Sequence, residues 1–177
     1  YTLGQYSHAE GYFNSALGDY SHVGGIRTTA SLTGEWARGG TGALEPTQYG
    51  FVEFRRLVNG TSPTEILNGF SAVRFKMTYR SSYRIQLTGI VSKKDTGESK
   101  EFSGTILLKG GAGPVYSLEA ENVTGGLGSV GFTTPTLTVT LVGDELVLTG
   151  ENPVGGDVYW YIKLDYLQVG IINPSVG

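Results

Sequence analysis

The sequence predicts an all-β chain: a short N-terminal β-roll with a 14-residue repeat, followed by an antiparallel β-sandwich or jelly-roll-like domain, in a homotrimer. Three observations predict the all-β architecture. Glycine recurs every seven residues over roughly the first 30 positions. From residue 47 onward, apolar and polar residues alternate with the period of two that is typical of strands. Only residues 63–68 have a pattern that would suit a helical turn.

The repeat consists of four groups of seven residues. Each group begins with glycine and has a small apolar residue at its sixth position: Gly4 and Ala9, Gly11 and Ala16, Gly18 and Val23, Gly25 and Ala30. Alternate groups match best, since Tyr-Ser-His at 6–8 recurs at 20–22, so the period is 14. A coiled coil is excluded because it needs large apolar residues at two positions and does not tolerate frequent glycine. Glycine instead suits a tight turn with positive φ after each short strand, and alanine suits a narrow interior.

Residues 4–11, Gly-Gln-Tyr-Ser-His-Ala-Glu-Gly, carry a resemblance to a known family. The repeat resembles the head repeats of trimeric autotransporter adhesins, and more closely their variant in phage tail fibres, over residues 1–32. The resemblance implies a left-handed parallel β-roll assembled as a trimer. Val23 and Gly24 depart from the motif, which indicates that the roll ends there.

A trimer is also expected on physical grounds. A solenoid needs about three stacked repeats, because each repeat buries its apolar side only against its neighbours. The predicted roll has about two coils with an interior of little more than methyl groups, so partner chains or further coils must complete it. Since the sequence begins at Tyr1, partway through a repeat unit, we expect a fragment of a longer protein.

The remaining chain divides into a glycine-rich neck at 33–46, with Trp36 as a packing anchor, and a tip domain at 47–177. Turns are predicted at 95–97 and 143–144. The last strand is expected to bury Val158, Trp160, Ile162 and Leu164 on one face, with Tyr159 and Tyr161 on the other. No family resemblance accompanies this domain.

Composition excludes several classes of partner. The net charge of −3 and the 16% of charged residues give no basic excess for nucleic acid, and no apolar run is long enough for membrane insertion. Without cysteine, disulfides and thiolate metal sites are excluded. We expect no cofactor.

The sequence also offers no recognisable catalytic motif. Both histidines belong to the repeat, and the carboxylates fall mainly in or near predicted turns. A carboxylate pair at glycosidase spacing stays open, but the prediction is that the chain is not an enzyme.

His8 and His22 lie 14 residues apart and should stack on adjacent coils. A metal site or a pH sensor is one interpretation. The favoured interpretation is structural: both belong, with the repeat glycines and small residues, to the architecture of the roll, and no metal is expected.

Aromatic residues are the best candidates for recognition. Among eleven tyrosines, Tyr159, Tyr161 and Tyr116 are predicted to contact a receptor, because exposed tyrosine is common in recognition surfaces. The alternative is that they pack in a trimer interface or on a second sheet. Loops at 110–114 and 122–131 are equally suitable receptor sites.

Together these features predict a trimeric phage fibre or adhesin tip that attaches to a host surface receptor, a glycan or a protein, on the virion or the cell exterior. Three copies would supply avidity. One alternative is a structural virion decoration or trimerisation domain. Another is a fibre domain that degrades polysaccharide or cleaves itself.

Overall fold

The computed structural model describes residues 1–39, 47–68, 73–77, 81–110, 116–128, 132 and 134–170. These residues form fourteen strands: β1 His8–Ala9, β2 Ser15–Ala16, β3 His22–Gly25, β4 Thr29–Ala30, β5 Trp36–Gly39, β6 Thr47–Val58, β7 Thr64–Glu65, β8 Phe75–Lys76, β9 Ser81–Lys93, β10 Ser99–Gly110, β11 Tyr116–Gly128, β12 Thr136–Val142, β13 Glu145–Glu151 and β14 Val158–Gly170. The all-β prediction is confirmed. No helix in the described ranges has the length and apolarity to cross a membrane.

The N-terminal strands form a roll of 14-residue coils. β1, β3 and β5 make one parallel ladder, in which His8 pairs with His22 and His22 with Trp36. β2 and β4 make a second ladder, in which Ser15 pairs with Thr29. Every partner lies 14 residues along the chain, so the predicted period is confirmed. The interior between the ladders is formed by small apolar side chains: Ala9, Ala16, Val23, Ala30 and Ala37.

The repeat glycines are needed mainly because adjacent coils approach closely. A Cβ on Gly4 would lie 2.0 Å from the carbonyl oxygen of Gly18, and one on Gly18 would lie 2.1 Å from that of Leu32. Gly11 and Gly25 are equally close to the next coil and also have the predicted positive φ, whereas Gly4 and Gly18 do not. The prediction that each glycine supplies a left-handed turn is therefore wrong for half of them.

The left-handed backbone of each turn belongs instead to the third position of the repeat. Tyr6, Phe13, Tyr20 and Arg27 have φ between 54° and 56°, and Gly34 continues the series at 68°. Residues other than glycine and asparagine adopt this backbone conformation at a cost of about 1–3 kcal/mol each. The stacked coils therefore hold bulky, outward-pointing residues in a strained conformation.

The roll continues beyond its predicted end at residue 32. β5 lies within the predicted neck but forms a third rung, with Ala37 beneath Val23 in the interior. Val23 and Gly24 therefore do not end the ladder. The division into 1–32, 33–46 and 47–177 stays a prediction, and residues 40–46 lie outside the described ones.

β5 then pairs in antiparallel fashion with β6, which joins the roll to a two-layer sandwich. The larger layer has the strand order β1-β3-β5-β6-β14-β9-β10-β11. The smaller layer has the order β12-β13-β7, with β8 pairing β13 beside β7. Residues 63–68, whose pattern would suit a helical turn, instead contain strand β7.

The core lies between these two layers. The larger layer contributes alternate residues such as Phe54, Ile162 and Leu164, and the smaller layer contributes Leu146 and Leu148. The predicted inward face of β14 is confirmed, and so are the turns at 95–97 and 143–144, which connect β9 to β10 and β12 to β13. The antiparallel sandwich is therefore the observed architecture of the C-terminal part.

A buried polar network connects the roll to the sandwich. The Glu35 carboxylate accepts hydrogen bonds from the backbone N–H groups of Ser31 and Leu32. It also accepts one from the hydroxyl of Tyr166 on β14. Gln48 donates to that hydroxyl at 2.9 Å and exchanges two hydrogen bonds with the backbone of Thr29. Burial raises the pKa of Glu35, and its hydrogen bonds oppose that rise.

We predict that Gly18→Ala disrupts the roll, because its methyl group would collide with backbone rather than with a mobile side chain. The expected cost is about 3 kcal/mol or more, at the upper end of overpacking effects. Hydrogen exchange would detect it locally, as lost protection of the Leu17 amide, which donates to Ala30 at 2.8 Å.

Gly24→Ala is the matched control. Its Cβ would lie 3.2 Å from the exposed side chain of Glu10, which can move away. If the Leu17 amide exchanged equally fast in Gly18→Ala and Gly24→Ala, the close approach of adjacent coils would not explain the need for glycine at position 18.

Candidate functional site

The candidate site is the face of the larger layer that points away from the core, here called the outer face. Every second residue of a strand points to this face. Because paired residues of neighbouring strands lie side by side, these side chains form rows that run across the strands. Lys163 on β14, for example, lies between Glu53 on β6 and Thr88 on β9. Tyr159 and Tyr161 lie on this face, as predicted.

Tyr161 belongs to a hydrogen-bonded cluster with Glu53 and Arg55. The Tyr161 hydroxyl donates to one carboxylate oxygen of Glu53 at 2.7 Å, and the Arg55 guanidinium donates to the other at 2.6 Å. The same guanidinium lies 5.2 Å from the centre of the Tyr161 ring. An aromatic ring, a carboxylate and a cation are thus fixed together at the surface.

The hydrogen bond from Tyr161 lowers the pKa of Glu53 below its ordinary value; burial opposes this, and Arg55 reinforces it. Burial, followed by the Glu53 carboxylate, raises the pKa of Tyr161. At neutral pH the pair therefore consists of an ionised acceptor and a protonated phenol.

A second cluster lies beside the first. The Lys163 ammonium is 4.8 Å from the centre of the Phe51 ring and 2.6 Å from a carboxylate oxygen of Asp165. Phe51 in turn stacks on Trp36, with ring centres 6.0 Å apart. The two cations of this region each have a carboxylate partner, so the paired clusters carry no net charge.

The predicted recognition residues are placed differently from one another. Tyr159 is 48% exposed, and Tyr161 is half-buried within its cluster. Tyr116 is only 9% exposed and packs in the core, so its predicted place at the surface is wrong. Residues 122–128, predicted as a loop, belong to strand β11, whereas 111–115 and 129–131 lie outside the described residues.

His8 and His22 stack with ring centres 4.9 Å apart, as the repeat predicts, and Trp36 continues the column 6.3 Å from His22. The Glu10 carboxylate lies 3.7 Å from His8 and 3.9 Å from His22. Within the described part of the chain, no group of three or more His, Cys, Asp or Glu side chains is arranged to hold a metal ion.

Sequence reasoning missed Glu53, Arg55 and Phe51. Their signal was present, since these residues alternate with buried Val52 and Phe54 along β6. Their neighbours on β14, however, follow only from the pairing of β6 with a strand about 110 residues away.

No family model matches the sequence, and no curated protein is significantly similar to it. Solved structures to which the chain is similar include the tailspike protein gp49 of Acinetobacter baumannii bacteriophage Fri1, a capsular polysaccharide depolymerase, at 10% identity and a TM-score of 0.39. They also include the tailspike protein of A. baumannii phage AM24, at 11% identity and a TM-score of 0.30. The matches cover 90% and 89% of this chain but 33% and 34% of the tailspikes, so the chain spans about a third of their length.

These comparisons correct one prediction. The expectation that the chain is not an enzyme is contradicted, because the gp49 tailspike to which it is similar is a depolymerase. A similarity of this extent assigns no catalytic residue to the chain.

We predict that Tyr161→Phe raises the pKa of Glu53 towards its ordinary value, because the largest stabilising hydrogen bond to the carboxylate is lost. Since the folded pKa is lowered, the stabilisation exists at neutral pH and disappears as pH falls through that pKa. The variant should lose roughly 1 kcal/mol at neutral pH, a value reduced for partial exposure. Carboxyl NMR titration and denaturation at two pH values would measure both effects.

Tyr159→Phe is the control, because no hydrogen bond joins its hydroxyl to another described residue. A stability difference between wild type and Tyr161→Phe that persists unchanged in acid would contradict the assignment.

Proposed function

We propose that this chain is a trimeric attachment part of a phage tail fibre or tailspike, located on the virion, which binds a bacterial surface glycan through its outer face. The observation that carries the proposal is the Glu53–Tyr161–Arg55 cluster. The N-terminal repeat supports the fibre context through its resemblance to tail-fibre repeats.

The cluster suits sugars because it combines an apolar ring with charged hydrogen-bonding groups. Each Glu53 oxygen accepts one bond within the cluster, which leaves lone pairs for sugar hydroxyls. Arg55 is exposed and has further N–H donors. Tyr159 adds a second aromatic side chain two residues along β14.

The exposed surface of the roll supports a trimer. Eight large apolar side chains are exposed before residue 27: Tyr1, Leu3, Tyr6, Tyr12, Phe13, Leu17, Tyr20 and Ile26. Tyr6 and Tyr20 stack on each other with ring centres 5.3 Å apart. So much apolar surface on a segment with such a small interior favours burial against further copies.

Polysaccharide cleavage is the second candidate function. Glu53 and Asp165 are diagonal neighbours on the outer face, because Glu53 pairs with Lys163 two residues away. Such positions lie about 7–8 Å apart, within reach of the carboxyl separations that glycosidases use. Glu53, with its lowered pKa, would serve as the base or nucleophile rather than as the acid.

We predict that the chain binds at least one polysaccharide in a panel of bacterial capsular and O-antigen glycans, measured by array and then by calorimetry. Glu53→Gln and Arg55→Ala should each weaken binding about tenfold, as expected for a lost charged hydrogen bond. Lys76→Ala is the control, because Lys76 lies on the other layer. Absence of binding to the whole panel would contradict the proposed function.

The same polysaccharides and variants distinguish cleavage, the second candidate function, from binding alone. Release of new reducing ends that stops in Glu53→Gln and Asp165→Asn would establish cleavage. Binding without release would assign the face to attachment alone.

We predict that light scattering gives a solution mass near three times 18.9 kDa. The double variant Tyr6→Asn/Tyr20→Asn should be monomeric, because it removes apolar surface while asparagine tolerates the left-handed conformation. Val142→Thr, at an exposed position of the smaller layer, should leave the mass unchanged. A monomeric wild type would contradict the trimer.

A further inference from the structure

Two adjacent rows of mainly polar side chains cross five consecutive strands of the outer face. In the order β6, β14, β9, β10, β11, the first row is Glu53, Lys163, Thr88, Ser103 and Thr124, and the second is Phe51, Asp165, Gln86, Thr105 and Asn122. We call these ten side chains the polar track. It starts at the charged clusters and extends to the far strand of the layer.

Apolar and charged side chains border the track on both sides. The row beyond Glu53 contains Arg55, Tyr161, Ile90 and Glu101, and the row beyond Phe51 contains Tyr49, Leu167, Arg84 and Leu107. The outer face is therefore a polar band between two margins that mix apolar and charged side chains. A molecule with hydroxyl groups along its middle would place C–H surface against the apolar members of these margins.

The far half of the track carries no charge. The charged groups of the near half are Glu53, Lys163 and Asp165, and each is paired at 2.6 Å with an opposite charge. On β9, β10 and β11 the track has only hydroxyl and amide side chains. A polymer rich in hydroxyl groups would find hydrogen-bond donors and acceptors there. The exposed Arg84 lies beside Gln86, in the row next to the track.

These polar groups are also available to a ligand. Thr88, Ser103, Thr124 and Asn122 are exposed, and none of their side chains hydrogen-bonds to another described residue. Gln86 is held in place, since it donates to the Gly104 carbonyl at 3.0 Å and accepts from the Thr105 hydroxyl at 3.1 Å. Part of the track is thus fixed and part is free to bind.

We propose that a linear polysaccharide lies across the strands along the polar track, from the Phe51 end to the Thr124 end. With strands about 4.8 Å apart, five strands give a track about 19 Å long. This inference rests on the proposed function and adds the direction and length of the bound ligand. Hydrogen bonds to successive strands would let affinity rise with chain length.

The test uses the full chain and size-fractionated fragments, from disaccharide to octasaccharide, of a bacterial capsular polysaccharide that the wild type binds. Asn122→Ala/Thr124→Ala should weaken binding of the long fragments about tenfold and leave short fragments, held at the Glu53 end, unaffected. Thr140→Ala, an exposed strand threonine of the other layer, is the matched control.

The outcomes separate this inference from the function on which it rests. No binding of any glycan by the wild type would contradict the proposed function itself. Binding that weakens in Glu53→Gln, while the effect of Asn122→Ala/Thr124→Ala is independent of fragment length, would overturn the track alone. A solution mass that changes in Thr124→Arg would show that another copy of the chain covers this face, and would also overturn it.

Discussion

The antiparallel pairing of β5 with β6 converts a parallel ladder of short rungs into a long-stranded sandwich within one continuous sheet. Little space is available at this junction. A Cβ on Gly50 would lie 2.3 Å from the Trp36 carbonyl oxygen and 2.7 Å from the Tyr166 hydroxyl. That hydroxyl is held by Glu35 and Gln48, so the glycine and the buried polar network fix the same register. Because the roll and the sandwich share this sheet, neither can shift without disturbing the other.

The shared register also decides which side chains reach solvent. A slip of one residue would exchange the two faces of every strand. Glu53 and Tyr161 would then enter the core, and Phe54 and Ile162 would face water. The clusters of the outer face therefore depend on the packing between the layers as much as on their own hydrogen bonds. Trp36 and Phe51 extend that face into the histidine column of the roll, so both parts present one surface.

Local patterns predicted what is locally determined. The 14-residue period, the two hairpin turns and the inward face of β14 all follow from residues adjacent in sequence. The end of the roll could not be predicted in this way. Strand β5 lacks the repeat motif, and only its pairing with β3 identifies it as part of the roll. Tyr116 was assigned to the surface because its own segment gives no sign of the core it enters. The repeat glycines were identified correctly but partly for the wrong reason, since the carbonyl that excludes a side chain at Gly18 belongs to Leu32 on the next coil.

The identical offset of every rung makes the roll a spacer of adjustable length. Adding or deleting one 14-residue unit would change its height by about 4.8 Å, the distance between neighbouring strands. The small interior and the close glycine contacts would be reproduced in each added unit. An insertion that breaks the seven-residue spacing of the glycines would bring a side chain against a backbone carbonyl that leaves no room for a Cβ. Evolution can therefore set how far the sandwich projects in discrete steps, independently of the residues on its outer face.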